Sequence, residues 1–407
     1  MSDRAKRAIE ECRVIAQISE EPGRTTRRFL TPPFCQVHQH LRARMESLGM
    51  NVRVDAVGNL RGIWNPSGAS GKRLILGSHI DTVPDAGAFD GVLGVVLALE
   101  LVVSAKRLEL PIDLEIIAFS EEEGVRFSFP FIGSRAVAGR FDPSMFALKD
   151  ADGTTIQQAI DNFGIDPGAL EEAAADRDAV GFLEIHIEQG PVLESEGLSV
   201  AAVTSIVGQT RLDLRFTGHA NHAGTTPMHL RRDAVAASAE WITKVEMLAI
   251  KTEGLVATVG KLEVHPNAGN VIPGSVELSL DVRHVFDKAR RTAVDGLLEQ
   301  ANAITRRREL QLEWNKKMDE PSVPMDERLT AFMTDAIQAA GFPVKSMTSG
   351  AGHDAMIMAR RMPTSMLFLR SPGGLSHHPD ESVREEDVEA ALLVGEKFLQ
   401  RLSAEIR

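Results

Sequence analysis

The sequence predicts an α/β protein into which a smaller β-α-β-β-α-β domain is inserted. Short β-branched runs alternate with helical stretches from about residue 52 to 200, the order changes near 210, and the first pattern resumes after Pro321 and Pro324. At 407 residues the chain also exceeds the roughly 250–300 residues at which one hydrophobic core stops growing, so two domains are expected.

Each element has a local reason. The opening MSDRAKRAIEECRVIAQI reads as a charged amphipathic helix without the uninterrupted apolar core of a secretory signal. RLILGSHI (73–80) and IDLEIIAFS (112–120) read as strands, separated by the helix VLGVVLALELVV that follows Asp90. Such alternation builds a sheet with helices on its faces, and ligands bind at the strand ends. EIHIEQGP (184–191) is a third strand, where alternation points Glu184, His186 and Glu188 to one face.

TRLDLRFTG, the helix RRDAVAASAEWITKVEMLAI, the strands GLVATVGKLEV and GSVELSLDVRH, the helix DKARRTAVDGLLEQANAITRRREL and the strand LQLEWNKKM then follow. This is the split order of a ferredoxin-like domain. A helix over 327–340, the strand TSMLFLR (364–370) and a C-terminal helix near 384–404 complete the large domain. Its expected extent is 1–209 and 327–407, with the insert at 210–326.

A formal net charge of −12 disfavours nucleic acid and anionic membranes as partners, and no apolar stretch approaches the roughly 18 residues of a spanning helix. Small soluble partners are expected. The two cysteines, Cys12 and Cys35, form no CxxC pattern, which fits a reducing cytoplasm.

The chemistry-bearing residues cluster at predicted strand ends. His79 closes an apolar strand, and Asp81 is placed to accept its second ring N–H, as carboxylates behind metal-bound histidines do. Asp90 opens the next helix, and its two oxygens can each serve a different cation. Taken singly, a helix-capping aspartate and a surface histidine account for both equally well. Ser120-Glu121-Glu122-Glu123-Gly124 brings three acids to the next strand end. Metal hydrolysis needs one ligand and one general base there, here Glu123 and Glu122. His186 lies on the third strand, and one histidine of the pair His377 and His378 can complete the site. A mixed nitrogen and oxygen set suits zinc, with cobalt, manganese and nickel as substitutes.

In order along the chain, GSHIDTVPDAGAFDG, SEEEGVRF, EIHIEQGPVLE, FTGHANHAGTTPM, NVIPG, DVRH, GAGHDA and SHHPDE resemble the hydantoinase/carbamoylase branch of the M20-type metallo-amidohydrolases. That branch includes N-carbamoyl-L-amino-acid hydrolases, allantoate amidohydrolases and β-ureidopropionases. The resemblance implies an exopeptidase-like α/β catalytic domain and an inserted lid and dimerisation domain, hence a homodimer. It implies two divalent ions, Zn2+ first, held by His79, Asp90 as the bridge, Glu123, His186 and His377, since the ligand directly follows the serine. Glu122 resembles the base and Asp81 the residue that orients His79. His222 resembles a histidine that reaches the neighbouring subunit's active site and stabilises the oxyanion.

Asn270 and Arg283 match residues that hold the substrate carboxylate, a task suited to a guanidinium fork. Gln189, Gln209 and His353 are further candidates for that pocket. The implied activity is cleavage of a ureido C–N bond in a small carboxylate, an N-carbamoyl-L-amino acid or allantoate. The competing expectations are a dipeptidase or N-acyl-amino-acid deacylase on the same scaffold, and a non-catalytic metal- or ligand-binding protein.

Overall fold

In the computed structural model, residues 3–66, 72–176 and 179–405 are described. The chain divides into two units, Met1–Thr204 with Pro324–Arg407, and Ser205–Val323. These divisions fall a few residues before the changes of sequence pattern, and the first lies within the strand Val200–Ile206.

The larger unit is built on a nine-stranded sheet. In spatial order its main path runs Asn51–Val54, Leu60–Trp64, Asp113–Phe119, Arg73–His79, Gly181–Ile187, Thr364–Leu369, Val200–Ile206 and Val323–Pro324, with Ser346–Ser349 beside Val200–Ile206. Asp113–Phe119, Arg73–His79, Gly181–Ile187 and Thr364–Leu369 are mutually parallel, so their C-terminal ends lie along one edge. In the register, His79 stands opposite Phe119 and Phe368 opposite His186. The central strands are buried on both faces, as their mainly apolar composition favours, with Glu115, Glu184 and His186 buried among them.

Val92–Arg107 is apolar on nearly every side and is accordingly buried almost throughout. It leaves the sheet edge directly after Asp90. The helix Pro32–Ser47, which the apolar pattern does not announce, starts with prolines in its first turn, where their missing N–H is no loss.

In the smaller unit, Leu262–His265, Ser275–His284, Gly208–Thr217 and Gln311–Glu320 form an antiparallel sheet in that order. This is the ferredoxin-like arrangement. Alternate residues of Ser275–His284 are buried, and Leu212, Leu214, Phe216, Leu278 and Val282 share one core with Trp241 and Leu297 of the two helices, Ala234–Lys251 and Asp287–Arg307. The Trp241 indole donates to Leu297 O at 2.8 Å, joining the helices. GLVATVGKLEV is two strands, Val256–Thr258 and Leu262–His265, both against Ser275–His284. The interruption contains Gly260 and inserts one extra residue opposite the partner strand, as a bulge does.

Candidate metal centre

Ligand-type side chains gather at the C-terminal edge of the four parallel strands. His79 is the last residue of its strand, and the chain returns through Asp90 and Gly91 to pack on its ring. Gly91 has φ of 67°, and a Cβ there would lie 2.5 Å from the imidazole, so only glycine permits this approach.

The tautomers of two histidines follow from their backbone contacts. His79 Nδ1 lies 3.0 Å from Asp81 O, and His186 Nδ1 lies 2.9 Å from Ile187 O. A carbonyl oxygen only accepts, so each Nδ1 carries a proton and each Nε2 is the nitrogen turned toward the site. Both Nε2 atoms converge on one carboxylate oxygen. Asp90 Oδ1 is 3.8 Å from His79 Nε2 and 3.2 Å from His186 Nε2, and the latter is buried without a hydrogen-bond partner. A neutral Nε2 facing a carboxylate is repelled unless a proton or a metal cation stands between them, and Asp90 draws positive charge toward both rings.

The other oxygen of Asp90 meets a second set. His377 Nε2 lies 3.1 Å from Asp90 Oδ2 and 3.3 Å from Glu123 Oε1. His79, Asp90 and His186 offer ligand atoms all within 4.8 Å of one another, and so do Asp90, Glu123 and His377. Asp90 belongs to both groups. His377 and His378 are both exposed, but His377 adopts φ of 55° and faces these acids, while His378 accepts the N–H of Asp380 at 3.1 Å. Hydrogen bonding to Asp90 and Glu123 pushes the His377 imidazole up to about 10, a sign that the acids call for positive charge here.

The acidic turn is held from below. Asp81 accepts the backbone N–H of Glu122 through Oδ1 and of Glu123 through Oδ2, both at 3.0 Å. Its carboxylate lies farther from His79 Nδ1, at 3.4 Å, than its own carbonyl does. Asp81 thus faces His79 Nδ1 with both its carbonyl and its carboxylate, and the carboxylate also holds the backbone of the two glutamates. Burial holds Glu122 well above the usual carboxylate range, His79 opposes the shift, and Glu123, Asp354 and Asp81 add to it. Arg27, fully buried, donates to Ile80 O at 2.6 Å and to Ile18 O at 3.0 Å, anchoring the strand end at His79 to the end of the first helix.

A model of peptidase family M20/M25/M40 matches residues 75–401. The chain belongs to this family. The probable allantoate deiminase of Oryza sativa subsp. japonica is 37% identical over 423 residues, covering 95% of this chain and 86% of the relative. The N-carbamoyl-L-amino-acid amidohydrolase of Paenarthrobacter aurescens is 36% identical over 393 residues, 94% of each chain. Among solved structures, an amidase of the hydantoinase/carbamoylase family from Burkholderia multivorans has a TM-score of 0.91 at 31% identity, covering 98% of this chain and 97% of the other. The protein is thus an M20 amidohydrolase of the hydantoinase/carbamoylase branch, a hydrolase of carbon–nitrogen bonds other than peptide bonds.

The remaining expected residues of this amidohydrolase have varied surroundings. Gln189 donates its amide to both Asp90 oxygens, at 3.2 and 3.0 Å, and lies 3.2 Å from Ser376 Oγ. His353 is buried, with its ring 4.5 Å from that of His186, and its Nε2 is bonded to Ser349 Oγ at 2.9 Å. Glu184 accepts from Ser78 Oγ on the neighbouring strand and from Ala355 N at the start of the helix Asp354–Met358, both at 2.8 Å, joining strand and helix. The strand ends at Ile187, one residue short of the expected alternation, and Glu188 instead caps the next turn through Val192 N and Leu193 N.

In the smaller unit Asp281 gathers Gln209, Arg211 and Arg283. Its carboxylate accepts from Gln209 Nε2 at 2.8 Å and from Arg283 Nε and Nη2 at 2.9 Å each. His222 and Asn270 meet in the two-stranded Asn221–His222 and Val271–Ile272 pairing, where Ala223 N donates to Asn270 O at 3.0 Å. His222 Nδ1 accepts the N–H of Gly224 and of Thr225 at 3.0 and 3.2 Å. Its proton therefore sits on Nε2. Sequence reasoning left Glu381, Ser376 and Arg27 without roles; only their long-range contacts distinguish them from ordinary polar residues.

Proposed function

We propose that this amidohydrolase cleaves the ureido C–N bond of a small carboxylate substrate, an N-carbamoyl-L-amino acid or allantoate, with two divalent ions at the Asp90 cluster. The observation that carries the reading is the sharing of Asp90, whose two oxygens face different histidines, each with neighbours suited to one cation. His79, Asp90 and His186 would hold one ion, and Asp90, Glu123 and His377 the other. The donor set is imidazole and carboxylate, which suits Zn2+, with Mn2+, Co2+ or Ni2+ as alternatives. Bound there, such ions supply Lewis acidity, polarising the scissile carbonyl and making water a stronger acid.

Glu122 acts as general base. It takes a proton from the attacking water and returns it to the departing nitrogen, and its raised affinity for protons suits both transfers. His222, with its proton fixed on Nε2, donates to the developing oxyanion in the neighbouring subunit's site. Arg283, held in place by Asp281 and joined by Asn270 and Gln209, receives the substrate carboxylate.

A homodimer formed through the smaller unit belongs to the same reading. It is supported by the exposed apolar Met247 and Ile250 on Ala234–Lys251 and by Val256 on Val256–Thr258. A cytoplasmic location accords with two cysteines left as free thiols, and among the described residues no helix is long and apolar enough to cross a membrane.

The test is product release by zinc- or manganese-loaded protein from N-carbamoyl-L-amino acids, allantoate, 3-ureidopropionate and matched N-acetyl amino acids. Ammonia from the ureido compounds alone is expected. Free amine from the acetyl compounds alone would make the protein a deacylase and overturn the reading.

A further inference from the structure

We propose that Glu381 is a positioning residue of the metal centre, whose buried carboxylate ties the backbone at Phe89 and Asp90 to the Ser376–His377 loop. The inference rests on the metal reading above. Glu381 Oε1 accepts the N–H of Phe89 at 2.9 Å and of Asp90 at 3.0 Å. Its Oε2 lies 3.2 Å from Ser376 Oγ, which is itself 3.2 Å from Asp90 Oδ2. One side chain thereby fixes the main chain of the shared aspartate and the residue preceding His377. These segments are almost 300 positions apart in sequence, and no secondary structure pairs them.

The packing agrees with a fitted contact. Glu381 is 5% exposed, and a Cβ on Gly87 would fall 2.3 Å from its Cβ and 2.5 Å from its Oε1. The segment leading to Asp90 thus approaches Glu381 as only glycine allows. Glu381 faces neither ligand group directly, since its oxygens are taken by backbone N–H and a hydroxyl. Its action is therefore on where Asp90 and His377 stand. Carboxylates of this kind commonly set metal affinity by about 10- to 100-fold.

Glutamine tests the hydrogen bonds apart from the charge. In Glu381→Gln the amide oxygen still accepts from Phe89 and Asp90, and the amide nitrogen can donate to Ser376 Oγ, leaving the hydroxyl proton for Asp90. In Glu381→Ala the link is lost. Gly87→Ala keeps the carboxylate but displaces it, providing a second route to the same defect.

The experiment titrates full-length, metal-stripped protein with Co2+, following its visible absorption, after circular dichroism has established that each variant is folded. Wild type and Glu381→Gln should take up two ions with affinities within about threefold, whereas Glu381→Ala and Gly87→Ala should lose about 10- to 100-fold for at least one ion, with an altered spectrum. A folded Glu381→Ala or Gly87→Ala protein with wild-type affinity and spectrum would overturn the proposal. So would a Glu381→Gln variant as impaired as Glu381→Ala. Failure of the wild type itself to bind Co2+ would instead overturn the metal reading, and this inference with it.

Discussion

Replacing Glu122 by glutamine removes one proton-accepting group while keeping volume and shape. The turn that carries it should survive, because Asp81 holds the backbone N–H of residues 122 and 123 and not the side chain. Glu123 should therefore stay beside His377, and metal content should remain that of the wild type. Burial and the nearby Glu123, Asp354 and Asp81 all disfavour charge on Glu122, so a neutral amide should not lower the unfolding temperature. What is lost is general base catalysis, typically a factor of about 10² to 10⁴, or roughly 3–5 kcal/mol in the barrier. The upper end is expected, since Glu122 is only 8% exposed and bulk water is a poor replacement. Steady-state ammonia release, with metal measured on the same samples, is the assay. Full metal content with turnover within tenfold of wild type would refute the base assignment. Loss of one ion would refute it differently, making Glu122 a ligand in the His79, Glu122 and Glu123 group.

Arg283→Ala should raise KM strongly with a smaller change in kcat; unchanged affinity for a carboxylate substrate would remove it from the binding pocket. His222→Ala should lower kcat by about 10² to 10³, and His222→Gln, which keeps an N–H donor, should recover part of this; equal defects in the two variants would contradict a donor role. Stability should weaken in acid through His38, which lies among Phe34 and Phe163 and is pulled down to about 3 by burial, with Arg42 adding. Its folded value is below the roughly 6.5 of an unfolded chain, so the stabilisation is full above pH 6.5 and drains as pH falls toward 3, about 2 kcal/mol being lost by pH 5. Urea unfolding at pH 7 and 5 should show that His38→Phe removes about this much of the pH dependence; an unchanged dependence would contradict it.

The fold was legible where local chemistry dictates it. The strands ending at His79, Phe119 and Leu369 are short, mainly apolar runs, and the helix after Asp90 is apolar on nearly every side, so burial largely selects their form. The small domain followed from alternation, apart from the bulge at Gly260, where an extra residue keeps the strand pattern while breaking the pairing. At the site, residue types and their order pointed to the cluster, but adjacent histidines are equivalent until the backbone turns one of them toward Asp90 and Glu123, as φ of 55° does at His377. Asp81 looked like a partner for His79 because the two are close in sequence. Its carboxylate does lie 3.4 Å from His79 Nδ1, and it also reaches across 41 and 42 positions to the backbone of Glu122 and Glu123, a contact no local pattern encodes. Glu381 is the same case at greater range.

The central claim is that Asp90 is shared by two cations, and diffraction from zinc-loaded crystals on either side of the zinc absorption edge tests it most directly. Two anomalous peaks per chain are expected, one among His79, Asp90 and His186 and one among Asp90, Glu123 and His377. A single peak, or peaks away from Asp90, would contradict it.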